Sequence, residues 1–355
     1  MNPTESAPPP NFTARRFLVG ILLFTGLAVA GTAAAVAGRG GLDAFRVAPR
    51  PDPTLLAVAV ILMGVDIWLS GLRVHHVAHR LAPSVSFADC IRADLANRCV
   101  AGLTPSQSGG GPAQLYILAR AGLSFSGGMA VGTINFLFSS VVLALLGFAA
   151  LPVVHHRLPG WLRASTDAAI ALLVATVVLG GWLIVRTRHR RRDTQHPGRL
   201  RRLFDRAVAF VTRSLEITRR LFLVHRGPVL RILPITAALV AVKLVCIVAV
   251  FRAFVPEGYV SELIGVTVIL VICLNFAPTP GGSGIVEGAG TAYLAGAIGP
   301  ALSTGVVLYW RLLTAYVPLV LGGLILLAQL RRDTRRALVG KRAAAARLDT
   351  PPDGT

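Results

Sequence analysis

The residues with chemical potential in this chain are ionisable groups set inside apolar stretches. Asp66, Lys243, Glu287 and Arg311 each stand within a hydrophobic run, and Asp94, Asn97 and Arg98 crowd together in a polar helical segment. A charge in the middle of an apolar helix costs roughly 2.5–3.5 kcal/mol on insertion scales, so such residues are retained for partners or for function. Glu287 lies one turn past a glycine-rich break, where unpaired N–H groups and the positive end of a helix dipole suit a phosphate. Arg311, in the last apolar run, carries the planar fork that grips a carboxylate or a phosphate through two hydrogen bonds. Arg98 and Arg311 are therefore the expected contacts to an anionic group, with Glu287 as gate or counter-charge. The alternative is a set of static ion pairs holding broken helices together, and for Asp66 and Lys243 that alternative is favoured.

These groups flank two interruptions. Residues 86–103 (SFADCIRADLANRCVAGL) have helical spacing but too many polar groups for lipid, with Asp94 and Arg98 as i, i+4 partners. The chain breaks over residues 104–112 and resumes as AQLYILARAGL. The second break, residues 278–284, precedes a short apolar stretch over residues 285–298. Each unit reads as a re-entrant helical hairpin, because irregular backbone at membrane depth is tolerated only inside protein or beside water, with two short crossings as the alternative for residues 260–298. Asn97, Gln107, Gly110 and Gln114 around the first break, and Asn275, Gly281 and Gly282 around the second, are the candidates to line a polar cavity with Arg98, Glu287 and Arg311. Gly284, Gly288, Ala292 and Gly296 make a small-residue stripe, expected to serve close helix packing rather than a ligand.

The elements that must position these groups follow from composition. The chain has 355 residues, 54% hydrophobic and only 15% charged, with a mean hydropathy of +0.66. Soluble domains carry about a quarter charged residues, so an all-α polytopic membrane protein is expected. Apolar runs at about residues 17–38, 54–72, 129–151, 164–185, 232–254 and 303–329 give about six full spans. With the two broken hairpins this is the arrangement of inverted-repeat transporters, in which paired Gly/Pro interruptions mark the central site. Identity between the halves is too thin to establish a repeat. Arg15-Arg16-Phe17-Leu18 is like a twin-arginine export signal, but the run is long for one and further spans follow, so an uncleaved first span is expected. The domain division is a disordered tail over residues 1–14, a membrane domain over 15–330 and a basic tail over 331–355.

The net charge is +20, and 34 of the 36 basic residues are Arg. They cluster in loops beside apolar runs, which is a topology signal and an attraction to anionic lipid, not the aromatic-interleaved pattern of a nucleic-acid surface. No nucleic acid is expected as partner. Residues 186–231 hold 14 Arg. Within them Leu200, Leu203, Phe204, Ala207, Val211, Leu215, Leu221 and Phe222 recur at helical spacing, as in an interfacial amphipathic helix or a helix packed on its own loop. This loop, both termini and the cluster Arg73, His75, His76, His79 and Arg80 are expected on the cytoplasmic side. That places the protein in the cytoplasmic membrane, with the hairpins entering from opposite faces. The His/Arg cluster reads as a solvated basic face, and its histidines lack a third ligand for a metal. Cys90, Cys99, Cys246 and Cys273 have no metal or redox spacing and read as small hydrophobes.

Residues 97–118 (NRCVAGLTPSQSGGGPAQLYIL) and 275–287 (NFAPTPGGSGIVE) resemble the two signature stretches of the flippase-like membrane domain family, which includes the membrane portion of lysylphosphatidylglycerol synthase. The resemblance in span arrangement covers about residues 15–330. It implies a domain that moves or handles lipid head groups, including aminoacylated and isoprenoid-linked ones. Where family members place Gln or Glu near Gly111, this chain has Gly-Gly-Gly-Pro, and with about 25 residues after the last span in this sequence a soluble aminoacyl-transferase domain is not expected.

The expected function is lipid translocation with anionic lipid as partner. Neither a cofactor nor a metal is expected, and no P-loop is present to couple ATP. An integral-membrane transferase using Asp89, Asp94 or Glu287 is the second class, disfavoured because no DxD or HExxH spacing occurs. A non-catalytic partner of a membrane glycosyl- or acyl-transferase is the third, and a transporter of soluble metabolites the fourth.

Overall fold

The computed structural model describes residues 51–154, 158, 160–186, 199–255, 260–274, 277 and 279–348. The expected first span and the tail before it, Asn275, and residues 349–355 lie outside these.

Helix α1 (Pro53–Leu81) starts with Pro53, and Asp52 caps it by accepting the Thr54 N–H at 2.8 Å. The first hairpin comprises α2 (Phe87–Leu103), a 3₁₀ turn at Pro105–Gln107 and α3 (Gly110–Arg120). Then come α4 (Phe125–Val154), α5 (Gly160–Arg186), α6 (Arg199–Val224), α7 (Arg226–Leu230) and α8 (Ile232–Phe254). The second hairpin is α9 (Val260–Leu274), a 3₁₀ turn at Pro280–Gly282 and α10 (Ile285–Ile298). The chain returns through α11 (Pro300–Arg311), a π turn at Leu312–Tyr316 and α12 (Val317–Leu348). No strand occurs among the described residues.

Five helices, over Pro53–Leu81, Phe125–Val153, Arg163–Arg186, Arg226–Phe254 and Leu302–Arg335, are long and apolar enough to cross a membrane. Ile61, Leu145, Val178 and Val185 on them are more than 60% exposed, a burial pattern that water would penalise and lipid does not.

Helices α1 and α8 pack antiparallel. The Asp52 N–H donates to the Ala253 carbonyl at one end, and His76 Nε2 meets the Pro228 carbonyl at 2.8 Å near the other. The first hairpin leaves from the C-terminal end of α1 and the second from the C-terminal end of α8, so they enter from opposite faces. Each hairpin has its own core. Cys90, Ala96, Leu118 and Ile134 surround the first; Phe251, Ile269, Val286 and Val307 surround the second. Helix α12 lies against α2 so closely that a Cβ on Gly322 would meet the Leu95 carbonyl oxygen at 2.0 Å.

Several expectations are corrected. The first break ends at Gly109 rather than Pro112, because Pro112 falls in the first turn of α3, where a missing N–H breaks no helical bond. The last span is not a plain α-helix: Pro318 lacks the N–H that would pair with the Thr314 carbonyl, and Val317 donates five residues back to Leu312. Helix α12 runs on through the first part of the expected basic tail, as far as Leu348. The small-residue stripe is not tightly packed: a Cβ on Gly284, Gly288 or Gly296 would meet nothing within 4 Å, and Ala292 is exposed. Gly290, off that stripe, faces Leu270 and Val307 instead. The Arg-rich helix α6 forms, and its Ser214, Thr218 and Leu221 are buried on the protein, with Phe222 stacked on Phe138 of α4 at 6.0 Å.

Candidate functional site

The two hairpin tips share one turn over their first four residues and then diverge, Ser108 and Gly109 being helical where Ser283 is extended and Gly284 has a positive φ. Thr104–Gly109 reads TPSQSG and 279–284 reads TPGGSG. In the first, Gln107 and Ser108 donate back to Thr104 and Pro105, both at 3.2 Å; in the second, Gly282 and Ser283 donate back to Thr279 and Pro280, both at 3.0 Å. The third residue of each is left-handed, Ser106 at φ 50° and ψ 26°, Gly281 at φ 56° and ψ 17°. The fourth is also left-handed, Gln107 at φ 56° and Gly282 at φ 66°. The tips touch: the Ser106 N–H donates to the Ala277 carbonyl at 3.0 Å.

Behind the first tip is a cluster of charge. Arg98 Nε donates to Asp94 at 2.7 Å, one turn back on α2, and its two terminal nitrogens reach Asp66 and Ser70 of α1. Lys243 of α8 approaches the other Asp66 oxygen at 3.7 Å. Arg73, one turn beyond Ser70, donates to Ser139 of α4 at 2.7 Å. Asn97 is held by Gln114 of α3 at 3.0 Å. That approach needs glycine at 110, where a Cβ would sit 2.2 Å from the Asn97 side-chain oxygen.

Behind the second tip, Arg311 Nε donates to Glu287 at 2.9 Å and its Nη2 to the Gly281 carbonyl at 2.8 Å. The Tyr316 hydroxyl donates to the same Glu287 oxygen at 3.2 Å. The other Glu287 oxygen accepts the Gly284 N–H at 2.8 Å, so Glu287 caps its own helix. This corrects the expectation of an open helix N-terminus for phosphate: a carboxylate already occupies it.

Between the clusters lies a cavity of about 340 Å³. Its charged lining is Arg73, Arg98, Lys243 and Arg311, with no carboxylate among the described residues. Asn97, Gln107, Ser139, Thr267 and Thr314 add polar groups, and Leu143, Leu239, Leu244 and Val268 an apolar wall. Hydrogen-bond donors and positive charge beside an apolar surface are what holds an oxyanion carrying a hydrocarbon chain.

Of the expected site residues, Asn97, Arg98, Gln107, Gly281, Lys243 and Arg311 line the cavity. Gln114, Gly110, Gly282, Glu287, Asp66 and Asp94 do not; they form the shell that holds the lining residues in place. Arg73 was expected on a solvated basic face and instead faces the cavity, because α1 continues nine residues past the apolar run. His79 and Arg80, further along, are exposed. The spacing of Asp66, Ser70 and Arg73 on one helix face was the available signal. Ser139, Thr267, Trp310 and Thr314 carried none, being ordinary residues of apolar spans. Cys90, Cys99 and Cys246 are buried free thiols away from this lining.

Long apolar helices around two opposed, broken helical hairpins define a multi-pass α-helical membrane protein. The chain belongs to the family described as the lysylphosphatidylglycerol synthase TM region, which it matches over residues 17–322. It is also similar to a UPF0104 membrane protein of Methanothermobacter thermautotrophicus, at 24% identity over 328 residues, covering 85% of this chain and 93% of that one.

Proposed function

We propose that this chain is a lipid translocase that passes anionic head groups through the cavity between the hairpin tips while the acyl chains stay in the bilayer. The observation that carries this reading is the lining itself: four cations and no carboxylate among the described residues, reached from both hairpins. The carboxylates behind the lining, Asp66, Asp94 and Glu287, offset part of that charge, and the remaining positive excess inside a membrane protein is costly unless an anion visits it. The protein works in the cytoplasmic membrane with its Arg-rich helix and C-terminal end inside. In support, the exposed end of α1, the base of the first hairpin and Asp333 of α12 share one face, since Asp333 accepts from Arg120 at 3.0 Å, and the basic residues concentrate there.

It acts without chemistry of its own. The acidic residues that a transferase would use are committed elsewhere: Asp89 to the cap at Ser86 and to Arg92, Asp94 to Arg98, and Glu287 to Arg311. The deciding experiment places purified protein in vesicles with labelled phosphatidylglycerol, aminoacyl-lipid or polyprenyl-phosphate lipid and follows each between leaflets. Acceleration of at least one is expected; acceleration of none removes the translocase reading, and a new lipid product would replace it with the transferase.

A further inference from the structure

We propose that the cavity selects by charge, binding lipid phosphodiesters of net charge −1 and rejecting cationic aminoacylated head groups, with Lys243 as the selecting cation. This rests on the translocase reading and narrows it.

The charge balance of the walls sets the preference. Around the first tip, Arg98 and Lys243 pair with Asp66 and Asp94, the carboxylates found there among the described residues, Arg73 bonds the neutral Ser139, and Arg311 is matched by Glu287. The walls therefore carry one positive charge in excess. In a low-dielectric setting an uncompensated charge is expensive, so the occupant that completes the site supplies one negative charge. A phosphodiester such as that of phosphatidylglycerol does so. A lysyl ester of the same lipid adds two ammonium groups, carries net +1, and would meet four cations with no carboxylate on the lining. A diphosphate brings more negative charge than the excess can match.

Lys243 is the cation that can turn to a ligand: Arg73 contributes charge to the lining, but its Nη1 is tied to Ser139 at 2.7 Å and its Nε is buried. All three guanidinium nitrogens of Arg98 are engaged by Asp94, Asp66 and Ser70. Arg311 is tied through Nε and Nη2. Lys243 is held more loosely, 3.7 Å from Asp66 with its side chain 40% exposed to the cavity side. Its compact ammonium on a flexible stem can turn to a phosphate as a point charge. The leucines and valines of the opposite wall fit a lipid rather than a free phosphodiester.

The test is binding of short-chain soluble lipids to the purified full chain in detergent, read from the concentration dependence of thermal stabilisation. Phosphatidylglycerol is compared with phosphatidylcholine, lysyl-phosphatidylglycerol, a polyprenyl diphosphate and tail-free glycerophosphoglycerol. Loss of one charged hydrogen bond corresponds to about tenfold or more in affinity. Phosphatidylglycerol is expected to bind at least about tenfold tighter than each of the others. Lys243→Gln should abolish its advantage over phosphatidylcholine, Lys243→Arg should keep most of it, and Arg220→Gln, on the exposed face of α6, should leave it unchanged. Lysyl-phosphatidylglycerol or the diphosphate binding as tightly as phosphatidylglycerol overturns the proposal, and this comparison needs no variant to fold. Equal binding of the tail-free head group overturns the lipid assignment. If vesicle translocation fails while selective binding holds, it is the translocase reading that falls.

Discussion

The Ser106 backbone N–H and the Ala277 carbonyl, 171 positions apart in the chain, are joined by a 3.0 Å hydrogen bond. Through it the tips of two hairpins that enter from opposite faces close on each other, and the cavity forms beside that closure. Both tips use left-handed backbone, but only the second uses glycine to do so.

The strain in the first tip separates stability from function. Left-handed backbone costs a residue with a side chain about 1 kcal/mol relative to glycine. Ser106→Gly and Gln107→Gly should each raise thermal stability by about that amount. Only Gln107→Gly removes a cavity-lining side chain, so it alone should slow translocation in the vesicle assay. Equal activity of the two variants would deny Gln107 a role.

Gly110 and Gly111 form a paired prediction. A methyl group at 110 would sit 2.2 Å from the Asn97 oxygen, and one at 111 would meet nothing within 4 Å. Gly110→Ala is expected to destabilise by about 1–3 kcal/mol through overpacking. Gly111→Ala is expected to be neutral or to stabilise by up to about 1 kcal/mol through helix propensity. Detergent melting curves distinguish them.

Glu287 and Arg311 are 2% and 4% exposed at their side chains and bond to each other. Removing one partner of a buried pair typically costs about 3–5 kcal/mol, because the other is left uncompensated. Glu287→Gln should therefore lower the melting temperature sharply. The double variant Glu287→Gln with Arg311→Met should recover most of the loss yet stay inactive in translocation. Full activity in the double variant would make the pair structural only.

Asp333 anchors the base of the first hairpin, accepting from the Tyr116 hydroxyl, from Arg120 at 3.0 Å and from Gln329 at 3.2 Å. Asp333→Asn should speed amide exchange across α3 while leaving α10 unchanged. Uniform exchange in both hairpins would show that α12 does not hold this end.

The hairpins were legible because Pro and Gly interrupt apolar runs there and because charges in those runs demand shelter. The pairing of Glu287 with Arg311 was legible as one of two stated options. The likeness of the two tips was not, because identity over whole halves is thin. The matching signal is confined to six positions, Thr104–Gly109 against 279–284, four of them identical. Arg73 was misplaced because hydropathy marks where an apolar run stops, not where its helix stops. The π turn at Leu312–Tyr316 was invisible for a related reason: hydropathy does not change across it.

That π turn has a consequence for how the last span tolerates change. It inserts one residue into the helical count, which rotates everything beyond it by about 100° relative to a straight helix. Arg311 before it is thereby aimed at the cavity while Gly322 after it is aimed at Leu95. Deleting a single residue between 312 and 316 would keep the segment equally greasy and equally able to cross the bilayer. Such a deletion removes the inserted residue and should let the segment close as a continuous α-helix with Arg311 and Gly322 still in phase. Deleting one residue between 317 and 321 would instead turn the two ends by about 100° against each other, so that either the guanidinium or the contact with the first hairpin must be lost.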